Sequence, residues 1–410
     1  MRTQAALDAL NFCLADVRDG LGPYLAIYLL AVHHWDQAAT GLVLSIAGIA
    51  SLVAQAPAGA LVDASRAKRT LVAAAAAIIA ASCLLIPLHP TFGPVAFAQI
   101  ASGAAAAVLS PAIAAVSLGV VGHAAFTRRT GRNEAFNHGG NAVAAAAAGV
   151  LSLWLGPIAV FGLLAAMAIA SIGSVLAIPR QAIDHDVARG LDGGTESSHT
   201  DHRPSGWRVL LSCRPLLAFA VCVLLFHLAN AAMLPLVGEK LAQQDLHRGT
   251  ALMSACIVGA QIVMVPMAAL VGLRADLWGR KPLFLAGFVV LAMRGFLYTA
   301  SDSPYWLLAV QMTDGVGAGL YGALFPIIVA DLTRGTGHFG AGLGAIAVAQ
   351  GIGASASNAI AGWVVVEAGY DAAFVLLGGI AAMGLLLVWW SMPETAARPN
   401  LRSAVAPAST

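Results

Sequence analysis

Twelve stretches of mainly apolar residues run through this chain, at 6–32, 38–62, 70–89, 93–122, 133–155, 157–178, 213–237, 249–273, 282–300, 304–331, 338–366 and 372–392. About 20 apolar residues carry an α-helix across the hydrocarbon of a bilayer. Backbone amides in lipid must be bonded within their own segment, so each stretch reads as a transmembrane helix. The rest of the 410 residues cannot clothe a soluble globule, because 59% of the chain is hydrophobic and only 10% is charged. The expected class is an all-α membrane protein with twelve transmembrane helices. With a formal net charge of +2 and its basic residues in short separate clusters, it has no stripe to hold nucleic acid.

Those basic clusters orient the bundle. Of 22 Lys and Arg, 18 fall on one face, Arg66, Lys68, Arg69, Arg128, Arg129, Arg132, Arg280 and Lys281 among them. Lys240 and Arg248 fall on the other, and Arg18 and Arg294 lie within spans. By the positive-inside rule the basic face is cytoplasmic, which puts both termini there. The Ala-rich composition points to a GC-rich bacterium, and so to its inner membrane. The first segment carries Asp8, Asn11, Asp16, Arg18 and Asp19, a poor signal peptide. Cys13, Cys83, Cys213, Cys222 and Cys256 show no CxxC spacing and read as packing residues. A polar stretch at 180–212 divides the chain into a six-helix bundle at 1–179 and another at 213–394, with a polar tail at 395–410 expected to be disordered. His185, His199 and His202 in the linker are solvated residues in this reading; no metal site and no cofactor is expected.

The two halves repeat. Gly59 and Asp63 recur as Gly272 and Asp276 at an offset of 213, Gly149 and Gly156 as Gly362 and Gly369, and Phe161 as Phe374. Pro23 and Gln99 map on Pro235 and Gln311 at 212. Two six-helix pseudo-repeats about an axis along the membrane normal are a transporter architecture, with the substrate site between them near the midplane.

The loop after the second span resembles the signature of the major facilitator superfamily, Gly-x-Leu-x-Asp-Arg-x-Gly-Arg-Lys/Arg. The second-half copy has Gly272, Asp276, Gly279, Arg280 and Lys281. The first-half copy has Gly59, Leu61, Asp63, Lys68 and Arg69, with Ala64 and Arg66 where the family has Arg and Gly. The closing Met392, Pro393, Glu394 and Thr395 are similar to the end of a last span in many members. The resemblance implies twelve helices and alternating access. It also implies that these loops act in gating, their Asp bonding a helix N-terminus across the interface and latching the outward-open state. Gln99 stands where proton-coupled members often carry Arg, and Gly156-Pro157 lacks the trailing Gly pair of antiporters.

Ionisable residues within spans mark candidate sites. Asp16 and Asp19 share a face of span one, with Arg18 turned elsewhere. They are a substrate or proton site, or a structural network with Arg18. His227 and Asn230 occupy a similar depth in span seven. Glu134, His138 and Asn141 form one stripe of span five, read as a gate or proton entry or, equally, as a cytoplasmic capping network. Arg294 and Asp314 read as a structural ion pair, with contact between Asp314 and cargo as the alternative. No HExxH, GxSxG or phosphate-binding loop is present, so the chain is not expected to be an enzyme. The expected function is secondary active transport of a small-molecule substrate by a monomer embedded in membrane lipids, with protons as coupling ion. Charges of both signs favour a polar, zwitterionic or anionic solute. A proton/drug antiporter and a non-transporting receptor or scaffold on the same fold are the alternatives.

Overall fold

The computed structural model describes residues 2–19, 22–191, 211, 213–244 and 246–396. The linker from 192 to 210 and the tail from 397 onward therefore lie outside the described residues, as does Arg248's side chain. Every regular element among the described residues is helical. Span one comprises Arg2–Asp19, Gly22–Ile27 and a π-turn at Tyr28–Val32. Spans two and three are Gln37–Ala64 and Lys68–Leu88. Spans four and five lie within Phe92–Leu155 as two helices separated at Gly122, whose φ of 72° is non-helical, and span six is Ala159–Leu176. In the second half, span seven is Arg214–Asn230 followed by Met233–Gln244. Span eight is Leu246–Trp278 and span nine Arg280–Leu297. Span ten is Pro304–Met312 and Asp314–Thr333. Spans eleven and twelve lie within Phe339–Ser391 as two helices separated at Gly369. These are the twelve transmembrane helices in two pseudo-repeats.

Two expectations about boundaries need correction. Residues 123–132, read as a loop because they hold Arg128, Arg129 and Arg132, are helical and form the start of span five. The polar linker is not loose from its beginning. Its first residues fold into short turns at Arg180–Ala182 and Val187–Arg189. Asp184 N–H donates to the Gly119 carbonyl at 3.0 Å, and the Gly190 carbonyl accepts from Gly335 N–H at 2.6 Å, which ties the two halves together.

The repeat holds at the level of backbone contacts. Gly156 and Gly369 both turn with positive φ, at 76° and 84°, joining spans five to six and eleven to twelve. A side-chain carbon placed on Gly103 would meet the Ala47 carbonyl oxygen at 2.4 Å, and one on Gly315 would meet that of Ala260 at 2.5 Å. One on Gly140 would meet the Phe12 oxygen at 2.1 Å, and one on Gly353 that of Leu224 at 2.3 Å. Each pair is displaced by 212 or 213 residues from its mate. Lipid tails are as apolar as leucine, so close backbone approach at small residues, rather than expulsion of water, drives such packing. Each half encloses its own hydrophobic cluster. The outer surface is apolar instead of charged, with Trp154, Val366 and Trp390 each more than four-fifths exposed. That inversion is what a lipid solvent requires.

Candidate functional site

A cavity of about 390 Å³ lies in the seam between the halves. The first half lines it with Asn11 of span one, Ser51 and Gln55 of span two, Ser110 of span four, and Asn133, Glu134 and Asn137 of span five. The second half adds Tyr321 and Phe325 of span ten and Gln350 of span eleven. Tyr321 and Phe325 stack with ring centroids 5.8 Å apart, and the Tyr321 hydroxyl donates to Gln350 Oε1 at 3.0 Å. Together these form an aromatic wall facing an amide-rich wall. Glu134 is the one carboxylate among the described lining residues, which include no Lys, Arg or His. The anionic solute expected from the mixed charges of the sequence therefore finds no counter-charge among them.

Glu134 reaches across the seam: a side-chain carbon on Gly322 of span ten would lie 3.6 Å from its Oε2. One turn on, His138 Nδ1 stands 2.8 Å from Gln261 Oε1 of span eight, a second bridge between the halves. Asn141 lies on the same stripe of span five and is half-buried. The cavity floor is a network absent from the sequence-based candidates. Asp8 accepts from Arg129 and Arg132 at 2.6 Å each. Arg129 Nε donates to Asn133 Oδ1 at 2.7 Å, and Asn11 Nδ2 donates to the same oxygen at 3.0 Å. Asn133 then donates to Ser117 at 2.8 Å.

The sequence-based candidates separate. The side chains of Asp16, Arg18 and Asp19 lie outside the described residues. His227 Nδ1 bonds the Val223 carbonyl of its own helix at 3.0 Å, and its ring packs edge-on against Tyr321 at 4.7 Å, behind the cavity wall. Asn230 and Asp314 both accept from Arg294, which is 2% exposed and also touches Met233 sulfur at 3.2 Å. Asp314 further accepts from Gln311 at 3.3 Å. The Arg294 guanidinium is thus buried among partners of its own bundle, and none of Arg294, Asn230 and Asp314 is among the cavity-lining residues. Gln55, Gln350 and Tyr321 were missed. Amides inside otherwise apolar spans were the available signal, whereas Arg129 was hidden by being read as loop.

The halves meet on the basic face. A carbon on Gly59 would fall 2.1 Å from the Gly340 carbonyl oxygen, and one on Gly131 would fall 2.5 Å from Gly272 Cα. Asp63, buried, accepts from the N–H groups of Gly340 and Ala341 at 2.7 and 2.8 Å. These are orphan donors in the first turn of span eleven, whose cap residue His338 supplies no side-chain acceptor. The second-half loop is wired differently: Asp276 accepts from Thr127 at 2.9 Å and Arg280 at 2.8 Å. Arg280 also reaches Asp331 at 3.1 Å. Lys68 Nζ donates to the Ser65 carbonyl at 2.8 Å, and Arg69 Nε to that of Val175 at 3.2 Å. Gly279 turns with φ of 90°. Toward the opposite face the seam parts, with nothing within 4 Å of a carbon built on Gly41 or Gly48.

Paired six-helix bundles closed on one face, with a polar chamber of solute size between them, define a membrane transport protein. The chain belongs to the major facilitator superfamily, matching the profile described as Major Facilitator Superfamily over residues 7–260 and 219–408. It is 56% identical over 394 residues to an uncharacterised MFS-type transporter of Mycobacterium tuberculosis, covering 96% of this chain and 94% of the relative, with the same values in two strains. Among solved structures it is similar to the MFS transporter FucP in the outward conformation, with a TM-score of 0.74 at 13% identity, covering 95% of this chain and 99% of that one. The proton:xylose symporter XylE gives a TM-score of 0.70 at 14% identity, covering 96% and 95%. The human organic anion transporter MFSD10 gives 0.68 at 14%, covering 94% and 98%.

Proposed function

We propose that this protein is a proton-coupled secondary transporter that moves a small polar solute, uncharged or cationic, across a bacterial inner membrane by alternating access. The observation that carries the reading is the seam cavity, with its amide-rich wall, its stacked Tyr321 and Phe325 and its single described carboxylate, Glu134. Amides and hydroxyls exchange hydrogen bonds with a polar solute without the desolvation cost of pairing full charges. A carboxylate with no cation among the lining residues favours a cationic or neutral ligand over an anion.

Proton coupling follows from the position of Glu134 in the seam, where rocking of one half against the other changes its surroundings. Asp16 and Asp19 of span one serve the same coupling, with Arg18 setting their balance. The basic face is the cytoplasmic face, with both termini, the linker at 180–212 and the tail at 395–410 on that side. The closed contacts at Gly59, Gly131 and Asp63 then make this the outward-facing form. The protein works as a monomer and as a carrier rather than an enzyme.

The test is transport in proteoliposomes. Wild type should accumulate a polar solute against its gradient when the lumen is made alkaline. Glu134→Gln, and separately the pair Asp16→Asn and Asp19→Asn, should abolish accumulation while counterflow exchange persists. Unchanged uphill transport in every variant would remove the coupling assignment. Absence of saturable exchange for any solute in a panel of neutral, cationic and zwitterionic metabolites would favour a receptor or scaffold.

A further inference from the structure

Spans three and nine begin at equivalent points of the repeat, and each start is tied to the end of its half's last span by a matching bond. In the second half, Lys281 Nζ donates to the Trp389 carbonyl at 2.6 Å. In the first, Arg69 donates to the Leu176 carbonyl, with the two partners displaced by 212 and 213 residues. The second half then places Glu394 over the helix start, where its carboxylate accepts from the N–H groups of Arg280 at 2.9 Å and Lys281 at 3.2 Å. A displacement of 213 or 214 puts Gln181 or Arg180 at that place in the first half. The internal anion is missing there.

A pocket of about 300 Å³ occupies the site instead, lined by Arg66, Arg69, Arg180 and His185 beside the start of span three. Ala67, at the cap position, offers no side-chain acceptor. The nearby acids are already engaged. Asp184 Oδ1 accepts from the N–H groups of Asp186 and Val187 at 3.0 Å each, and Asp186 pairs with Arg189 at 3.1 Å. His185 Nδ1 is buried with no partner. Burial, followed by the fields of Lys68 and Arg66, holds that imidazole below the ordinary histidine range. Its unpartnered Nδ1 can carry the ring N–H and donate to an anion. Leu176, half exposed, and Ile183 supply an apolar wall.

We propose that this pocket binds a phosphate group, which takes the place that Glu394 fills in the second half. Guanidinium forks and a helix start suit a tetrahedral oxyanion. The phosphodiester of an anionic phospholipid and a free phosphate ion share this chemistry.

The experiment measures the melting midpoint of the full-length protein, and its binding by native mass spectrometry, with two probes. One arm compares phosphatidylglycerol with phosphatidylcholine in mixed micelles; the other compares inorganic phosphate with chloride at matched ionic strength. Phosphatidylglycerol should raise the midpoint of wild type, and Arg66→Gln with Arg180→Gln should weaken its binding about thirtyfold. Arg180→Glu supplies the missing carboxylate, so it should fold at least as stably as wild type and lose the response. A response to phosphatidylglycerol alone assigns a lipid headgroup, and a response to inorganic phosphate assigns the free ion. If wild type responds to neither probe, or if Arg180→Glu responds as wild type does, the site is not a phosphate site.

Discussion

The first half of the molecule holds its buried charge at the basic face, where Asp8 joins Arg129 and the more exposed Arg132 directly beneath the cavity. The second half also buries Arg280 at the basic face, but it alone holds a charge pair deep in its bundle among the described residues, where Arg294 is closed off by Asp314, Asn230 and Met233. Both halves repeat the same glycine contacts and the same positive-φ turns, so the repeat copies scaffold. It does not copy chemistry. Amides, hydroxyls and the carboxylate of the cavity come mostly from the first half, whereas the second supplies aromatic rings and a dry, self-satisfied core. The difference teaches that polar residues at equal depth in the two halves need not form one site. Depth is set by the repeat, but whether a side chain faces the seam depends on the rotation of its own helix.

The largest effect should come from breaking the dry core. Asp314→Asn leaves the Arg294 guanidinium buried without its counter-charge, a loss of about 3–5 kcal/mol. Asp8→Asn should cost less, about 1–3 kcal/mol, because Arg132 is 58% exposed and can turn to water while buried Arg129 keeps its bonds to Asn133 and Gln4. Unfolding midpoints in one detergent check the order. Replacing the pair together, Arg294→Met with Asp314→Leu, should recover most of the loss. A double variant no better than Asp314→Asn would mean that the guanidinium does more than fill the core.

Next comes the seam. Gly59→Ala drives a methyl against the Gly340 carbonyl, whereas the nearest atom to a methyl on Gly272 is 3.1 Å away. Gly59→Ala should cost the closed basic face up to about 3 kcal/mol, and Gly272→Ala distinctly less. Alkylation of a cysteine introduced at Ala341 reads the opening; equal labelling in both variants would make the two loops equivalent. A smaller effect tests where the halves agree. Gly156→Ala and Gly369→Ala place a side chain at φ of 76° and 84° with nothing within 4 Å. Each should lose about 1–2 kcal/mol from backbone strain alone, and by the same amount. Unequal midpoints would show that one junction bears a load the other does not.

Much of the scaffold was legible because lipid imposes a coarse rule: a run of apolar residues, a charge bias and a repeat are visible without any contact. The exceptions have a common cause. Arg128, Arg129 and Arg132 look like loop residues, yet Asp8 and the basic membrane interface allow a helix to carry them. Arg294 and Asp314 were legible as a pair because each is costly alone in hydrocarbon. Tyr321, Gln55 and Gln350 were not, since whether such a residue faces the seam depends on the helix rotation set by Gly–backbone contacts in three dimensions. Glu134 and His138 were placed on one stripe by periodicity alone, but only the fold shows the first in the cavity and the second on Gln261.

The finest comparison sets Asp63 against Asp276, equivalent in sequence and unlike in use. Asp63 is buried and accepts from two backbone N–H groups at the start of span eleven. Asn at that position keeps one acceptor but turns an NH2 toward the second donor, at a cost of about 1 kcal/mol. The cost falls only on the form in which the basic face is closed, so the equilibrium should move about fivefold toward the opposite form. Asp276 is half exposed, and its partners are a hydroxyl and an arginine that keeps Asp331. Asp276→Asn should therefore shift the same equilibrium less than twofold, in line with exposed ion pairs. Spin-label distances across the basic face separate the two outcomes. If both variants open that face equally, the bond to the helix start of span eleven is not what holds it shut, and the two loops act as one latch.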